Sequence, residues 1–178
     1  MHYFNELKIE NYLLKVIDII DLDSSYFQAL NDHEHMRWSR QRRTRHDIYS
    51  SKTYIDDLKS HGEFVGVYDS EKSKLIGTIT IRVRDESAQL GFLIFPQCAN
   101  RGTLSTILPH LKDELHNTYN LEFLYIGTNS QNIGMRRVAE KSGFSEVSAV
   151  KLNNSLLPFV GLSEDVCHYL SVKSSQSI

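Results

Sequence analysis

The stretch Ala88-Gln89-Leu90-Gly91-Phe92-Leu93-Ile94-Phe95-Pro96-Gln97-Cys98-Ala99-Asn100-Arg101-Gly102-Thr103 decides the architecture. Its first half is mostly aliphatic and aromatic and stops at a proline, as a strand does. Its second half is short and polar. It runs into Leu104, Ile107, Leu108, Leu111 and Leu115, which lie at i, i+3, i+4, i+7 and i+11 and mark one face of a helix. A short loop from a strand end to a helix start aims free backbone N–H groups at one point, and the helix dipole adds positive character there. Asn100 and Gly102 tolerate φ > 0 at little cost, as an anion-cradling turn requires, and Arg101 adds a permanent charge. The loop reads either as a phosphate or pyrophosphate cradle or as a plain connector, because many such loops carry a glycine for turning.

Upstream, Tyr12 to Ile20 is rich in branched aliphatics and reads as a first strand. Asp23 and Ser24 are N-cap types that open a helix through Phe27 and Leu30, and a second helix spans Ser50 to Leu58 with Tyr54, Ile55 and Leu58 at helical spacing. Phe64 to Tyr68 and Leu75 to Val83 are strands that form an antiparallel meander with Ala88 to Phe95. Gly77 marks either a bulge or a close backbone approach. Downstream, Pro109 sits inside the helical pattern and predicts a kink, because it removes one ladder bond and crowds the carbonyl of Ser105. Leu121 to Ile126 is a strand. Met135, Val138, Ala139 and Ser142 form the inner face of a last helix that Gly143 closes. Phe144 to Val150 and Val166 to Val172 complete the sheet. The fold class is α/β (α+β), a mixed, mostly antiparallel sheet of about seven strands flanked by about four helices.

The chain has 178 residues, 40% hydrophobic and 24% charged, with a formal net charge of −2, which is a globular composition with no strong pull toward nucleic acid. Cys98 and Cys167 are too few and too far apart for a disulfide framework or a zinc site. The opening Met1-His2-Tyr3-Phe4 lacks a basic n-region and an apolar h-region, and no apolar run approaches the roughly 20 residues of a membrane span. The expectation is a soluble, cytoplasmic protein with no membrane partner and no metal. Residues 1–173 are expected to form one domain, with 174–178 a flexible polar tail.

A second segment gives the loop a context. Asn132-Ile133-Gly134-Met135-Arg136-Arg137-Val138-Ala139-Glu140-Lys141-Ser142-Gly143-Phe144 resembles the Asn-x-x-Ser-x-Arg-Val-x-Glu-Lys-x-Gly-Phe segment of GNAT-superfamily N-acetyltransferases. The branch it resembles is the one typified by ribosomal-protein N-terminal acetyltransferases (RimJ/RimL-like). In that family a Gln/Arg-x-x-Gly-x-Gly/Ala loop precedes this segment by about one helix and one strand. Gln97-x-x-Asn100-x-Gly102 stands there, with Asn in place of the first Gly. Element order matches over residues 12–172, and motifs over 88–144.

The resemblance implies a GNAT-like sheet whose parallel fourth and fifth strands, Ala88–Phe95 and Leu121–Ile126, splay at their C-terminal ends. It implies acetyl-CoA as co-substrate, with the pantetheine arm along Leu93, Ile94 and Phe95. The pyrophosphate falls on the loop of Gln97, Cys98, Ala99, Asn100, Arg101, Gly102 and Thr103, on the N–H groups of Cys98 to Thr103. Asn132 contacts the cofactor from the last helix. The implied activity is acetyl transfer to a primary amine by direct attack.

Direct attack needs a neutral amine, and a Lys-type amine with pKa about 10.4 needs more help than an α-amino group at about 7.7–8.0. Related enzymes often protonate the leaving thiolate with a Tyr or Ser on the last helix. Those positions here are Ala139 and Met135, which cannot donate a proton. Tyr125 is the substitute donor to consider and Glu86 or a water relay the substitute base, with packing the bland alternative for Tyr125 and a solvated turn that for Glu86. The missing acid also leaves open a non-catalytic acyl-CoA-binding sensor or interaction module on the same fold.

Arg37, Arg40, Arg42, Arg43 and Arg45 lie between the first two helices, the segment that shapes the acceptor pocket in this family. They form a solvated basic loop, a site for an anionic acceptor through bidentate contacts, or, third, a nucleic-acid surface. Trp38, Arg40 and Arg43 are the candidate acceptor contacts, with Trp38 stacking on a ring or anchoring the loop. The acceptor is a small amine, an amino-sugar nucleotide or a peptide N-terminus, and a homodimer is compatible with the pattern. His33-x-His35 is a surface pair or a metal site without a third ligand.

Overall fold

The computed structural model describes residues 4–148 and 165–174, with the side chain of Arg40 outside that description. Among the described residues are eight strands, β1 (Leu7–Ile9), β2 (Tyr12–Val16), β3 (Gly62–Asp69), β4 (Lys74–Arg84), β5 (Ser87–Ile94), β6 (Phe123–Asn129), β7 (Ser145–Val147) and β8 (Val166–Val172). The four α-helices are α1 (Ser24–Asn31), α2 (Ile48–Lys59), α3 (Thr103–Asn117) and α4 (Ile133–Lys141). The strands hydrogen-bond in the order β1-β2-β3-β4-β5-β6-β8-β7, and the β5–β6 pair is parallel. This is the expected mixed, mostly antiparallel sheet with one more strand. The additional strand is β1, three residues long and too short to carry an alternation signal, which pairs back on β2 through Glu10 at φ 48°. The strands expected as fourth and fifth are therefore β5 and β6.

The first strand is shorter than the sequence pattern suggested. β2 stops at Val16 because Asp18 caps a 3-10 turn at Ile19–Asp21, and Ile20 is 88% exposed. Local hydrogen bonds from an Asx side chain outcompete continuation of the strand. α3 runs unbroken through Pro109. The Ser105 position is exposed, so the carbonyl that loses its partner there faces water. The strand expected over Phe144 to Val150 is observed as β7, with its last residues, like 175–178 of the expected tail, outside the described residues.

The chain divides into two compact units, one holding the residues up to Arg82 with Gly91–Thr103, the other Val83–Leu90 with the described residues from Leu104 onward. In the first, α1 and α2 bury Tyr26, Leu30, Ile55 and Leu58 with Phe64 of β3 and Phe95. In the second, β6 pairs with β8 along its whole length, Phe123↔Val172 to Asn129↔Val166. α4 ends as its sequence demands. Gly143 takes φ 84°, its N–H reaches Glu140 O and the Phe144 N–H reaches Ala139 O, both at 3.0 Å, a Schellman closure.

Two buried histidines lock the second unit. His116 of α3 donates from Nδ1 to the Leu121 carbonyl at 2.7 Å, which leaves Nε2 of a neutral ring to accept from the Ser171 hydroxyl at 2.8 Å. His168 of β8 sits 2.8 Å by Nδ1 from the Tyr125 hydroxyl, and the rings stack. Burial lowers the pKa of both histidines. A base with a depressed folded-state pKa binds fewer protons than in the unfolded chain, so its contribution is complete at neutral pH and is lost on acidification. We predict that stability begins to fall below about pH 6.5, the ordinary histidine value. The urea midpoint at pH 5.5 should lie below that at pH 7.5, and His116→Gln with His168→Gln should flatten that dependence. An unchanged pH slope in the double variant would show that other groups carry it.

Candidate functional site

The end of β5 is built by a bulge in β4. The β3–β4 register runs Val67↔Gly77 and then Tyr68↔Leu75, so Ile76 is the extra residue. The Ile76 carbonyl accepts the Phe95 N–H at 2.8 Å. A Cβ on residue 77 would stand 2.6 Å from the Leu93 carbonyl oxygen and 3.0 Å from Ile94 Cα. Bulge and close approach, the two alternatives open for Gly77, therefore occur together. On the other side of the strand end, His35 Nε2 donates to the Ile94 carbonyl at 2.8 Å. The Phe95 ring is fully buried and packs edge-on to Tyr26 at 6.5 Å.

From this anchored end the loop departs. Pro96–Cys98 form a 3-10 turn in which Cys98 N–H reaches Phe95 O at 2.8 Å and Ala99 N–H reaches Pro96 O at 3.2 Å. Those two amides are engaged inside the turn, which corrects the expected cradle of Cys98 to Thr103. The next four, Asn100 to Thr103, find no acceptor among the described residues. Asn100 and Gly102 have φ 60° and 80°, and Arg101 between them lies outside the left-handed region. Such alternation turns successive N–H groups toward one side, the geometry of an anion nest. The space at a Gly102 Cβ holds no atom within 4 Å. Thr103 is 4% exposed and its Oγ1 lies 3.3 Å from the Tyr12 hydroxyl, which tethers the loop to β2. Gln97, Arg101 and Gly102 are exposed, while Cys98 and Ala99 are half-buried. Four amides without a protein acceptor, three of them on exposed residues, offer the donors that a diphosphate group accepts.

The remaining candidates fall elsewhere. Asn132 is the N-cap of α4. Its Oδ1 accepts the Met135 N–H and its Nδ2 donates to Thr128 Oγ1, each at 3.2 Å, so both ends of the amide serve the second unit. Glu86 stands in the turn that opens β5. It is exposed, and its carbonyl receives the Glu122 and Phe123 N–H groups. Eight strand residues at roughly 3.3 Å each separate it from Phe95. Tyr125 is 1% exposed with its hydroxyl on His168, and a Cβ at Gly127 would lie 2.5 Å from that hydroxyl. The glycine leaves the room that the phenol fills. Ala139 is fully buried and Met135 half-buried, in packing roles.

Trp38 is half-buried, carries the Arg37 guanidinium over its ring at 5.3 Å and lies outside the core cluster. Arg43 is exposed in a 3-10 turn at Arg40–Arg43, and the Arg40 side chain lies outside the described residues. His35, which grips the strand end, is a functional neighbour that local sequence does not reveal, because its partner lies 59 residues away. Among the described residues, no three His, Cys, Asp or Glu side chains gather as metal ligands, and no helix is long and apolar enough to cross a membrane.

Comparison with known proteins places this geometry. The family model for the acetyltransferase (GNAT) domain matches residues 13–145. The chain belongs to the GNAT acetyltransferase family. No curated protein sequence matches it. Among solved structures it is similar to ribosomal-protein-S5-alanine acetyltransferase from Vibrio fischeri, at 16% identity and TM-score 0.73, over 98% of this chain and 100% of that one. It is also similar to RimL, the ribosomal L7/L12 alpha-N-protein acetyltransferase in complex with coenzyme A, at 11% identity and TM-score 0.73, over 94% and 98%. Spermidine N-acetyltransferase from Vibrio cholerae, in complex with CoA and spermine, matches at 17% identity and TM-score 0.73, over 92% and 96%. At these identities the likeness is one of fold.

The glycines of this GNAT chain make a paired prediction. Gly77→Ala drives a methyl into the β5 backbone and should cost about 1–3 kcal/mol, as overpacking does. Gly134→Ala, whose Cβ meets nothing nearer than 3.8 Å, lies inside α4 and should stabilise by about 0.5–1 kcal/mol. Thermal midpoints should move in opposite directions, by roughly 2–4 °C per kcal/mol. A neutral Gly77→Ala would mean that β4 and β5 part without strain.

Proposed function

We propose that the chain is an acetyl-CoA-dependent N-acetyltransferase, with residues 1–173 acting as one acetyltransferase domain. The observation that carries this is the loop after β5, where the N–H groups of Asn100, Arg101, Gly102 and Thr103 are unengaged and Asn100 and Gly102 hold positive φ. Those four amides would hold the cofactor's pyrophosphate, and Leu93, Ile94 and Phe95 its pantetheine arm. Two polar groups of that stretch are already engaged, the Ile94 carbonyl by His35 and the Phe95 N–H by Ile76, which fixes the strand end in place. When bound, the cofactor supplies a thioester open to attack by a neutral amine.

The protein's contribution is chiefly positioning, which can provide much of the rate for transfer between two bound reactants. A backbone N–H at the strand end would stabilise developing negative charge on the carbonyl oxygen. Ala139 and Met135 offer no proton, Glu86 lies at the other end of β5, and the Tyr125 hydroxyl is bonded to His168. A water relay is left as the proton carrier. The acceptor class is a primary amine, whether a small amine, an amino-sugar nucleotide or a peptide N-terminus. Release of free CoA thiol across an amine panel tests the proposal. Tight acetyl-CoA binding without turnover on any amine would favour a non-catalytic acyl-CoA sensor.

The loop itself is tested with two glycines of equal backbone strain. Gly102 and Gly143 have φ 80° and 84°, and a β-branched residue at either should cost of order 1–3 kcal/mol of stability. Gly102→Val also obstructs the open side of the turn and should weaken acetyl-CoA binding by tenfold or more, the worth of one charge-assisted hydrogen bond. Gly143→Val, whose Cβ meets only the mobile Lys112 Nζ at 3.1 Å, should lose stability alone. Equal cofactor affinity in the two variants by calorimetry would remove the loop from the site.

A further inference from the structure

The first unit holds a second concentration of positive charge that the cofactor loop does not use. Between α1 and α2 the chain passes through the 3-10 turn at Arg40–Arg43 and on to Asp47. Four side chain–backbone bonds fix its course. Asn31 Nδ2 donates to His46 O at 2.8 Å, and His46 N–H returns to Asn31 Oδ1 at 2.9 Å. His46 Nε2 donates to Gln41 O at 2.9 Å, and Arg42 Nη1 donates to Arg37 O at 2.6 Å. A loop that only had to be soluble would not need such stapling.

The stapled loop borders an open surface hollow of about 450 Å³ whose wall includes His33, Arg42, Arg43, Arg45, His46 and Asp47, all exposed except the half-buried His46. Three arginines and one aspartate stand in that wall, a formal +2 before the histidines are counted, with one arm of Arg42 already on the Arg37 carbonyl. Asp47 is already engaged, accepting the Ser50 N–H at 2.8 Å as the cap of α2. The other nearby acids are engaged as well. Asp32 accepts the Glu34 and His35 N–H groups at 3.0 Å, and Glu34 pairs with Arg37 at 3.0 Å. Among the described residues the side chains of Arg43, Arg45 and His33 make no hydrogen bond or close ion pair, and Arg45 acts on Asp47 only as a longer-range charge. Like charges held around one hollow repel, and an anion seated among them reverses the sign of that term. Separate guanidinium forks call for more acceptor oxygens than one carboxylate presents, which a phosphate or diphosphate supplies.

We propose that this hollow binds the phosphate or diphosphate group of a small molecule and, on the acetyltransferase reading above, that this molecule is the amine acceptor. His33, on the wall of the hollow, is two residues from His35, whose ring holds the Ile94 carbonyl at the end of β5. With at most about 3.5 Å per residue and the reach of the side chains, the hollow lies within about 15 Å of that strand end. The acceptor's amine and its phosphate are separated by a comparable span.

Calorimetry of the full-length protein with inorganic pyrophosphate reads the hollow without the reaction. Each true guanidinium contact is worth roughly ten- to a hundredfold in affinity. Arg43→Gln with Arg45→Gln should therefore weaken pyrophosphate by tenfold or more, while the melting midpoint stays unchanged. Gly102→Val should retain this arginine-dependent event. No binding to the wild type, or binding that Gly102→Val abolishes and the arginine variant keeps, overturns the site. The acceptor is read separately by comparing 6-aminohexyl phosphate with 6-aminohexanol. The phosphate ester should have the lower KM, with the advantage lost in the arginine variant at unchanged acetyl-CoA affinity. Equal KM values overturn the acceptor assignment. Absence of transfer to every amine of the panel, with arginine-dependent pyrophosphate binding intact, overturns the acetyltransferase reading and leaves the anion site standing.

Discussion

The candidate site depends on one constraint, that the chain must leave the sheet after Ile94 and reach α3 with several amides unengaged. The Phe95 N–H is held by Ile76 and the Ile94 carbonyl by His35, so the last residue of β5 is gripped from both sides. Pro96 then prevents continuation of the strand and starts a tight turn that consumes the N–H groups of Cys98 and Ala99. Left-handed Asn100 and Gly102 turn the next amides outward, and Thr103 ends the excursion buried against Tyr12. Preorganisation of the cradle is thus a property of β4, through its bulge at Ile76, as much as of the loop.

What was legible in the sequence follows from the range of the interactions concerned. The α3 face, the Schellman closure at Gly143 and the positive φ of Asn100 and Gly102 are each written within a few residues, and each stands where the spacing placed it. Gly77 was legible as a special position, with its two explanations merging because the bulge is what brings β5 so close. The failures have a different character. β2 ends early because Asp18 forms a cap that apolar patterning ignores, and β1 is too short to show a pattern. Glu86 precedes β5 directly in sequence, while Phe95 follows its other end. His35–Ile94 and Tyr125–His168 join residues 59 and 43 apart, and no local signal announces such pairs.

Tyr125 illustrates how a residue type can suggest chemistry that packing then claims. A tyrosine on a central strand offers a hydroxyl, yet burial requires that hydroxyl to find a partner, and His168 provides one. Gly127 completes the arrangement by leaving empty the volume a side chain would fill. The result is a satisfied buried pair with a neutral imidazole, coupled to the pH dependence of the second unit. The last-helix positions are held by Ala139, fully buried, and Met135, half-buried, and neither side chain can donate a proton.

The first unit, finally, presents anions with two surfaces made by different physics. The loop after β5 uses backbone amides, partial charges whose value comes from convergence and which accept only a group of the right shape. The stapled loop between α1 and α2 uses guanidiniums, full charges whose attraction reaches further and is screened over about 8 Å at physiological ionic strength. A pyrophosphate on amides and a phosphate among arginines therefore differ in salt response, the second weakening more steeply. On the two proposals made above, the cofactor would be held by shape and the acceptor gathered by charge. It also explains why the stapling of the arginine loop matters. Charge on a mobile loop would attract many anions weakly, whereas Asn31, Gln41 and His46 hold the guanidinium-bearing backbone in one arrangement, so that attraction is converted into position.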